Sequence, residues 1–327
     1  MEDVAREAGV SRALVSLVFR DMPNVSDQRR AQVLAAAERL GYRMDASARR
    51  LRSRRSGVIG VVISDLHNPV FAEISDGIRL RADATGHQLL YTVGDRQSGL
   101  ERAALDTLMQ HRPDGVIIAG SQGPPAHIAS VAGEVPLVLL GRLIRDPNVD
   151  CFTVDEVLGA RLAVEHLADL GHRRIVHVDG GRGGGSADRR NGYRRAMEQR
   201  GLSQEVRVIS GAFTEEAGLA AAQTMLSWDR WPTAVFAAND LVALGVIEGL
   251  RHAGVDVPGQ VSVVGFDDTI FARLNAISLT TVSVSRRTNG AKAFDALLER
   301  VQGMRTAPLL FVAEPHLIVR GTTAAPT

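Results

Sequence analysis

At 327 residues the chain is too long for one small core and points to two or three folding units. Hydrophobic residues reach 45%, enough for sizeable interiors, and the lone cysteine, Cys151, excludes an intrachain disulfide and a multi-cysteine metal site. The net charge of +1 hides an asymmetry: residues 1–56 hold twelve Arg and seven acidic side chains (+5), while the rest carries 26 basic and 30 acidic groups (−4). A basic head on a mildly acidic body is the layout of a nucleic-acid-binding module joined to something else. Residues 1–12 are charged and amphipathic rather than a secretory leader, and no apolar run approaches membrane-spanning length. A cytoplasmic protein with no membrane partner is expected.

In the head, Val4, Ala5 and Ala8 share one face of a first helix over residues 2–8. Gly9 suits the positive φ of a helix end, and Ser11 can cap a second helix whose apolar stripe is Leu14, Val15 and Val18. Pro23 breaks the pattern, and Ser26 is expected to cap a third helix with Val33, Leu34, Ala37 and Leu40 on one face. Such a corner places the start of the second helix in a major groove, with Ser11, Arg12, Ala13 and Ser16 nearest the base edges. Arg12 can donate two parallel hydrogen bonds to a guanine. The alternative on geometry alone is a small three-helix bundle with a solvated arginine. The run 45–52 then sets Leu51 among Arg49, Arg50 and Arg52. A minor-groove segment would use the leucine as a wedge between base steps and the arginines on flanking phosphates.

Asp3 through Ser11, Val15-Ser16, Val25-Ser26, Arg29, Val33 through Ala37, Leu40-Gly41-Tyr42 and Ala48-Arg49-Arg50-Leu51-Arg52 together resemble the headpiece and hinge helix of the LacI/GalR family. The resemblance continues over nearly the whole chain. It implies that positions 12, 13 and 17 read bases, that Leu51 intercalates at the operator centre, and that Arg29, Ala48, Arg49 and Arg52 belong to the DNA-binding set. Two departures remove polar DNA contacts: Leu14 stands where the family usually has Thr, and Leu17 where Arg is common.

From Gly57 the texture changes to strand-length apolar runs alternating with amphipathic helices. Runs at 57–64, 88–93, 114–119, 137–140 and 152–154 form one series, and those at 174–178, 206–209, 234–237 and 261–266 a second. The alternation predicts an α/β body of two doubly wound parallel-sheet lobes behind the all-α helix–turn–helix head. The expected boundaries are 1–44 for the headpiece and 45–56 for the hinge helix. The first lobe takes 57–154 plus about 286–311, and the second 155–285 plus about 312–320. The resemblance implies the same re-crossing and a periplasmic-binding-protein-like architecture.

Ligands of such folds bind beyond the carboxyl ends of the strands. Ser64, Asp65, Asn68 and Phe71 follow the first strand; Asp155, Phe213, Asn239 and Asp267 follow later ones, and Arg189 lies near a helix start. A helix cap or surface pair is the competing reading for these positions. By the resemblance, Arg189 and Asp267 grip hydroxyls or an anionic group, Asn239 adds a hydrogen bond and Phe213 an apolar wall. Gly180-Gly181-Arg182-Gly183-Gly184-Gly185 fails the spacing of a dinucleotide-binding turn and reads as a mobile cleft-edge loop, whose Arg182 could meet an anion. The only lysine, Lys292, follows Ala291, so there is no phosphate-binding loop; a nucleophile elbow and a zinc-protease motif are also missing. The expectation is a non-enzymatic regulator without cofactor or metal. It would bind near-palindromic operator DNA as a homodimer and answer to a sugar or related small effector. A two-lobe solute-binding protein is the alternative, against which the basic head argues. The tail 320–327 carries no heptads, so no tetramerising coiled coil is expected.

Overall fold

Three short helices, α1 (Glu2–Glu7), α2 (Arg12–Val18) and α3 (Asp27–Arg39), build the N-terminal unit of a computed structural model that describes residues 1–19, 22–42 and 55–327. This unit, Met1–Ser56, is followed by a second, Gly57–Thr327. Gly9 turns the chain between α1 and α2 with φ 61°, a region costly for any side chain. Ser11 Oγ then accepts the Leu14 N–H at 3.2 Å and caps α2. Val4, Val15, Val33 and Ala36 are fully buried where the three helices meet, and Val10, Leu14 and Leu17 pack partly against them. Two expectations change in α3. Ser26 occupies the cap position but its side chain makes no capping bond, and Leu34 and Leu40 are 47% and 46% exposed. Val33 and Ala37 face inward as expected, and Ala36 joins them in place of the two leucines. The hinge positions Ala48, Arg49, Leu51 and Arg52 lie outside the described residues.

The second unit contains two six-stranded sheets. The first comprises β1 (Val58–Ile63), β2 (Gln88–Val93), β3 (Gly115–Ala119), β4 (Leu137–Leu140), β5 (Val149–Val154) and β11 (Leu310–Ala313). Its order is β11-β5-β4-β3-β1-β2, parallel throughout. The second comprises β6 (Ile175–Val178), β7 (Arg207–Ile209), β8 (Ala234–Ala237), β9 (Ser262–Asp267), β10 (Thr280–Ser283) and β12 (His316–Ile318). Its order is β12-β10-β9-β8-β6-β7, with only the β12 edge antiparallel. Strands β1, β3 and β4 are buried at every position, which is why they hold only Val, Ile, Leu, Ala and Gly: helices cover both faces.

The covering helices of the first lobe are α4 (Pro69–Thr85), α5 (Ser98–Gln110), α6 (Pro125–Ala132) and the late α11 (Arg286–Gln302). Those of the second are α7 (Glu156–Asp169), α8 (Ser186–Gln199), α9 (Glu215–Leu226) and α10 (Asp240–His252). The chain therefore passes between lobes three times: after β5, after β10 and after β11. At the second passage Ser285 adopts φ 49° and performs the turn that a glycine commonly makes. Phe294 and Leu297 of α11 then close the core of the first lobe against Ile74 and Ile78 of α4.

Candidate functional site

The carboxyl ends of both sheets border one cavity of about 390 Å³, within the usual range for a small-molecule site. Seven residues picked out by their strand-end positions meet in its lining. Ser64, Asp65, Asn68 and Phe71 come from the first lobe; Arg189, Phe213 and Asp267 come from the second. Asp155 and Asn239 do not line it. Each caps a helix: Asp155 Oδ1 accepts the Leu158 N–H, and Asn239 Oδ1 the Val242 N–H, both at 2.9 Å. A polar side chain just before a helix is drawn to the free N–H groups of the first turn, and here that attraction takes both residues out of the cavity. Glu156, one position after Asp155, enters the lining instead.

The charged groups of the cavity are organised as ion pairs. Arg189 is buried; its Nε and Nη2 lie 2.8 and 2.7 Å from Glu156 Oε2, and its Nη1 donates to the Ala238 carbonyl. Its guanidinium carbon sits 3.6 Å from the Phe266 ring centroid, so a cation–π contact holds the planar group flat. Asp267 carries φ 111°, a strained conformation for a side-chain-bearing residue, and receives Arg286 Nη2 at 2.5 Å. Arg96 Nε lies 3.6 Å from Asp65 Oδ2. Near Asp267, the buried Asp240 accepts the Thr281 hydroxyl at 2.6 Å and the Thr269 N–H at 2.7 Å. Burial first, and the charge of Asp267 second, push the Asp240 carboxyl up to about 7.

The glycine run 180–185 follows β6 and leads into α8 at the cavity edge. Asp179 Oδ1 accepts the N–H groups of Gly181 at 2.9 Å and Gly211 at 3.1 Å, and Arg190 Nη1 lies 2.6 Å from its Oδ2. Burial alone would raise the Asp179 pKa, but these donors hold it below the usual carboxylate range. The Gly180 N–H donates to Ser186 Oγ at 3.1 Å, which ties the loop to its own helix. A Cβ on Gly180 or Gly183 would fall 2.3 Å from the Phe213 ring. The glycines thus let the loop lie directly on Phe213. His172 Nδ1 and Nε2 pair with Thr233 Oγ1 at 3.0 Å and the Ala324 carbonyl at 2.9 Å, and His166 Nε2 with Thr323 Oγ1 at 3.0 Å, so these histidines fasten the C-terminal segment.

In the N-terminal unit Ser11, Arg12 and Ala13 are exposed at the start of α2, and Arg29 at the start of α3. Arg12 Nη1 lies 3.3 Å from Glu2 Oε1 in a solvent-exposed pair, weak enough for a better acceptor to replace. Ser16 and Leu17 are half-buried, Leu17 against the helical core. Reading the sequence alone missed Arg96, Glu156, Arg286 and Asn289 in the cavity lining. Only Arg286 left a signal, since it stands at the start of the last helix where the chain returns to the first lobe.

Residues 1–45 match the family model described as bacterial regulatory proteins, lacI family, and residues 164–323 match the periplasmic binding protein-like domain. The catabolite control protein A of Priestia megaterium is 33% identical over 320 residues, 97% of this chain and 96% of its own. The HTH-type transcriptional regulator GalR of Escherichia coli (strain K12) is 32% identical over 330 residues, 100% of this chain and 96% of its own. Among solved structures, the lac repressor dimer bound to operator and the anti-inducer ONPF gives a TM-score of 0.87 at 29% identity, covering 99% of this chain and 98% of that one. A complex of the transcriptional regulator CelR with cellobiose gives 0.73 at 32% identity, covering 98% of each chain.

Proposed function

The chain belongs to the lacI family of bacterial regulatory proteins and is a DNA-binding transcription regulator; from that premise we propose that a sugar or related metabolite in the cleft sets its grip on operator DNA. The observation that carries this reading is the cavity at the facing strand ends, lined by Phe71, Phe213, Asp267 and paired arginines. Two copies would bind a near-palindromic operator, because the two-fold symmetry of the dimer is mirrored in the half-sites. Ser11, Arg12 and Ala13 at the start of α2 would face the major groove. Leu51, with Ala48, Arg49 and Arg52, would serve the minor groove. Such a protein works in the cytoplasm, without catalysis.

Coupling follows from the placement of the ion pairs. Asp267 ends a strand of the second lobe and Arg286 begins a helix of the first; Glu73 of α4 and Arg273 lie 3.6 Å apart across the same divide. A ligand that rearranges these pairs changes the relative orientation of the lobes. Ligand affinity and DNA affinity then shift by the same factor.

The test is fluorescence anisotropy of the full-length protein on a duplex selected from a random pool, at fixed salt because phosphate contacts are steeply salt-dependent. Arg12→Ala is expected to cost about 1–3 kcal/mol on the selected duplex and far less on random DNA. Phe213→Ala is expected to leave operator binding intact and to blunt the response to ligand. It is a cleaner variant than Arg189→Ala, which would strand Glu156 without its partner. Failure of the selection to return any preferred sequence would sink the reading.

A further inference from the structure

The charge balance of the cleft goes beyond the presence of a ligand and bears on its chemical class; this step rests on the cleft being the effector site. Four arginines and three carboxylates line the cavity: Arg96, Arg182, Arg189 and Arg286 against Asp65, Glu156 and Asp267. Each carboxylate is matched with its own arginine, Asp65 with Arg96, Glu156 with Arg189 and Asp267 with Arg286. Arg182 is left over. It projects from the glycine loop at the cavity edge, and among the described residues no hydrogen bond or ion pair is formed by its side chain.

The hydrogen-bond inventory leans the same way. A carboxylate is the strongest acceptor a protein can offer to the hydroxyls of a neutral sugar. Here Glu156 already accepts two guanidinium N–H groups on one oxygen, and Asp267 is held by Arg286 at 2.5 Å. On the donor side, Arg286 Nε is buried and finds no partner among the described residues, and the exposed side chain of Arg182 forms no hydrogen bond or ion pair among them. A lining whose arginines outnumber its carboxylates by one, with a buried guanidinium donor left over, calls for a ligand rich in acceptors. Burying an unmatched guanidinium donor is costly, so an acceptor brought by the ligand is strongly favoured.

We propose that the effector is an anionic, hydroxylated metabolite, a sugar acid or a sugar phosphate, whose carboxylate or phosphate is taken by Arg182 while its hydroxylated body lies between Phe71 and Phe213. The neutral hydroxyls and amides of the lining, Ser64, Gln122, Thr153 and Thr214, suit the body of such a molecule. Arg182 is thereby the residue that sets ligand charge.

Isothermal titration of the full-length protein with three matched series tests this at fixed ionic strength. Glucose and galactose are the neutral parents; glucuronate, galacturonate and gluconate carry the carboxylate; glucose 6-phosphate and galactose 6-phosphate carry the phosphate. An anionic member is expected to bind at least about tenfold tighter than its neutral parent, the size of one charge-assisted contact. Which series wins identifies the anion. Arg182→Gln is expected to erase that advantage and Arg182→Lys to keep part of it. Because Arg182 is exposed, neither change threatens folding, and circular dichroism confirms it. A neutral parent that binds as tightly as its acids, or no binding by any anionic member at millimolar concentration, overturns the proposal. Binding that is indifferent to Phe213→Ala overturns the cleft reading itself, a distinct failure.

Discussion

The two lobes share a fold, and each buries an aspartate, Asp150 in the first and Asp240 in the second, in contrasting surroundings. In the first lobe Asp150 is fully buried within β5, yet it is surrounded by cations: Arg300 Nε at 3.0 Å and Arg305 Nη2 at 2.5 Å, with the Leu309 N–H at 2.8 Å as a third donor. In the second lobe Asp240 is equally buried but meets only hydroxyls and an amide, with Asp267 nearby. Asp150 is balanced by guanidinium groups, whereas Asp240 has no cation bonded to it and burial pushes its carboxyl up to about 7. The first arrangement is structural and fastens α11 and β11 to the sheet. The second sits beside the cleft, where a change in ligand or proton alters the neighbours of Asp267.

Three experiments put that contrast at risk. The largest effect is expected from Asp150→Ala, which leaves Arg300 without its carboxylate and Arg305 with Glu299 alone, and should cost about 3–5 kcal/mol in urea denaturation. A loss below about 1 kcal/mol would mean that the cluster is a solvated surface network instead. Asp240→Asn should act on the pH dependence. The Asp240 carboxyl titrates near 7 when folded against an ordinary 3.8, so between about pH 4 and 7 the unfolded chain gives up a proton that the native state keeps. Stability therefore falls as pH rises through that window, by an amount on the order of a few kcal/mol, and the Asn variant should show a flatter profile. Identical slopes for wild type and variant would remove the contrast between the lobes.

The smallest effect is expected at His177, whose ring stacks on Phe236 at 4.7 Å and is pushed down to about 4 by burial, partly offset by its bond to the Phe236 carbonyl. The sign is reversed. As pH falls from about 6.5 towards 4 the unfolded chain takes up a proton that the folded one refuses, and stability is lost. His177→Gln should lessen that loss. If the variant declines in parallel with wild type, the acid sensitivity lies in other groups.

Much of the body was legible because doubly covered strands and amphipathic helices have sharp periodicities. The runs expected at 174–178, 206–209, 234–237 and 261–266 correspond to β6, β7, β8 and β9 within a residue. What escaped has physical causes. β5 begins at Val149, three residues before the apolar run at Phe152, because Asp150 disguises a buried strand position whose charge is balanced from residues 300 and 305. Strands β11 and β12 are short and half-exposed at sheet edges, so their alternation is faint. In the cleft, Asp155 and Asn239 were plausible from position alone, yet a cap and a pocket residue occupy neighbouring places. One residue is about 100° of helix, and local sequence does not say which one turns inward. Arg286 marks the start of the returning helix, but no local pattern could say that it meets Asp267.

The triple passage between lobes also fixes an order of events during synthesis. The first lobe has its initial five strands by residue 154, but Phe294 and Leu297 of α11, which close its core, emerge more than 130 residues later. At about 5–20 residues per second that interval is on the order of ten seconds. Throughout it, the apolar side of α4 and the sheet beside it stays uncovered on the ribosome while the second lobe is being made. The lobe that begins first is therefore completed only when nearly all of its neighbour exists, and the newborn chain carries an open core that chaperones can recognise.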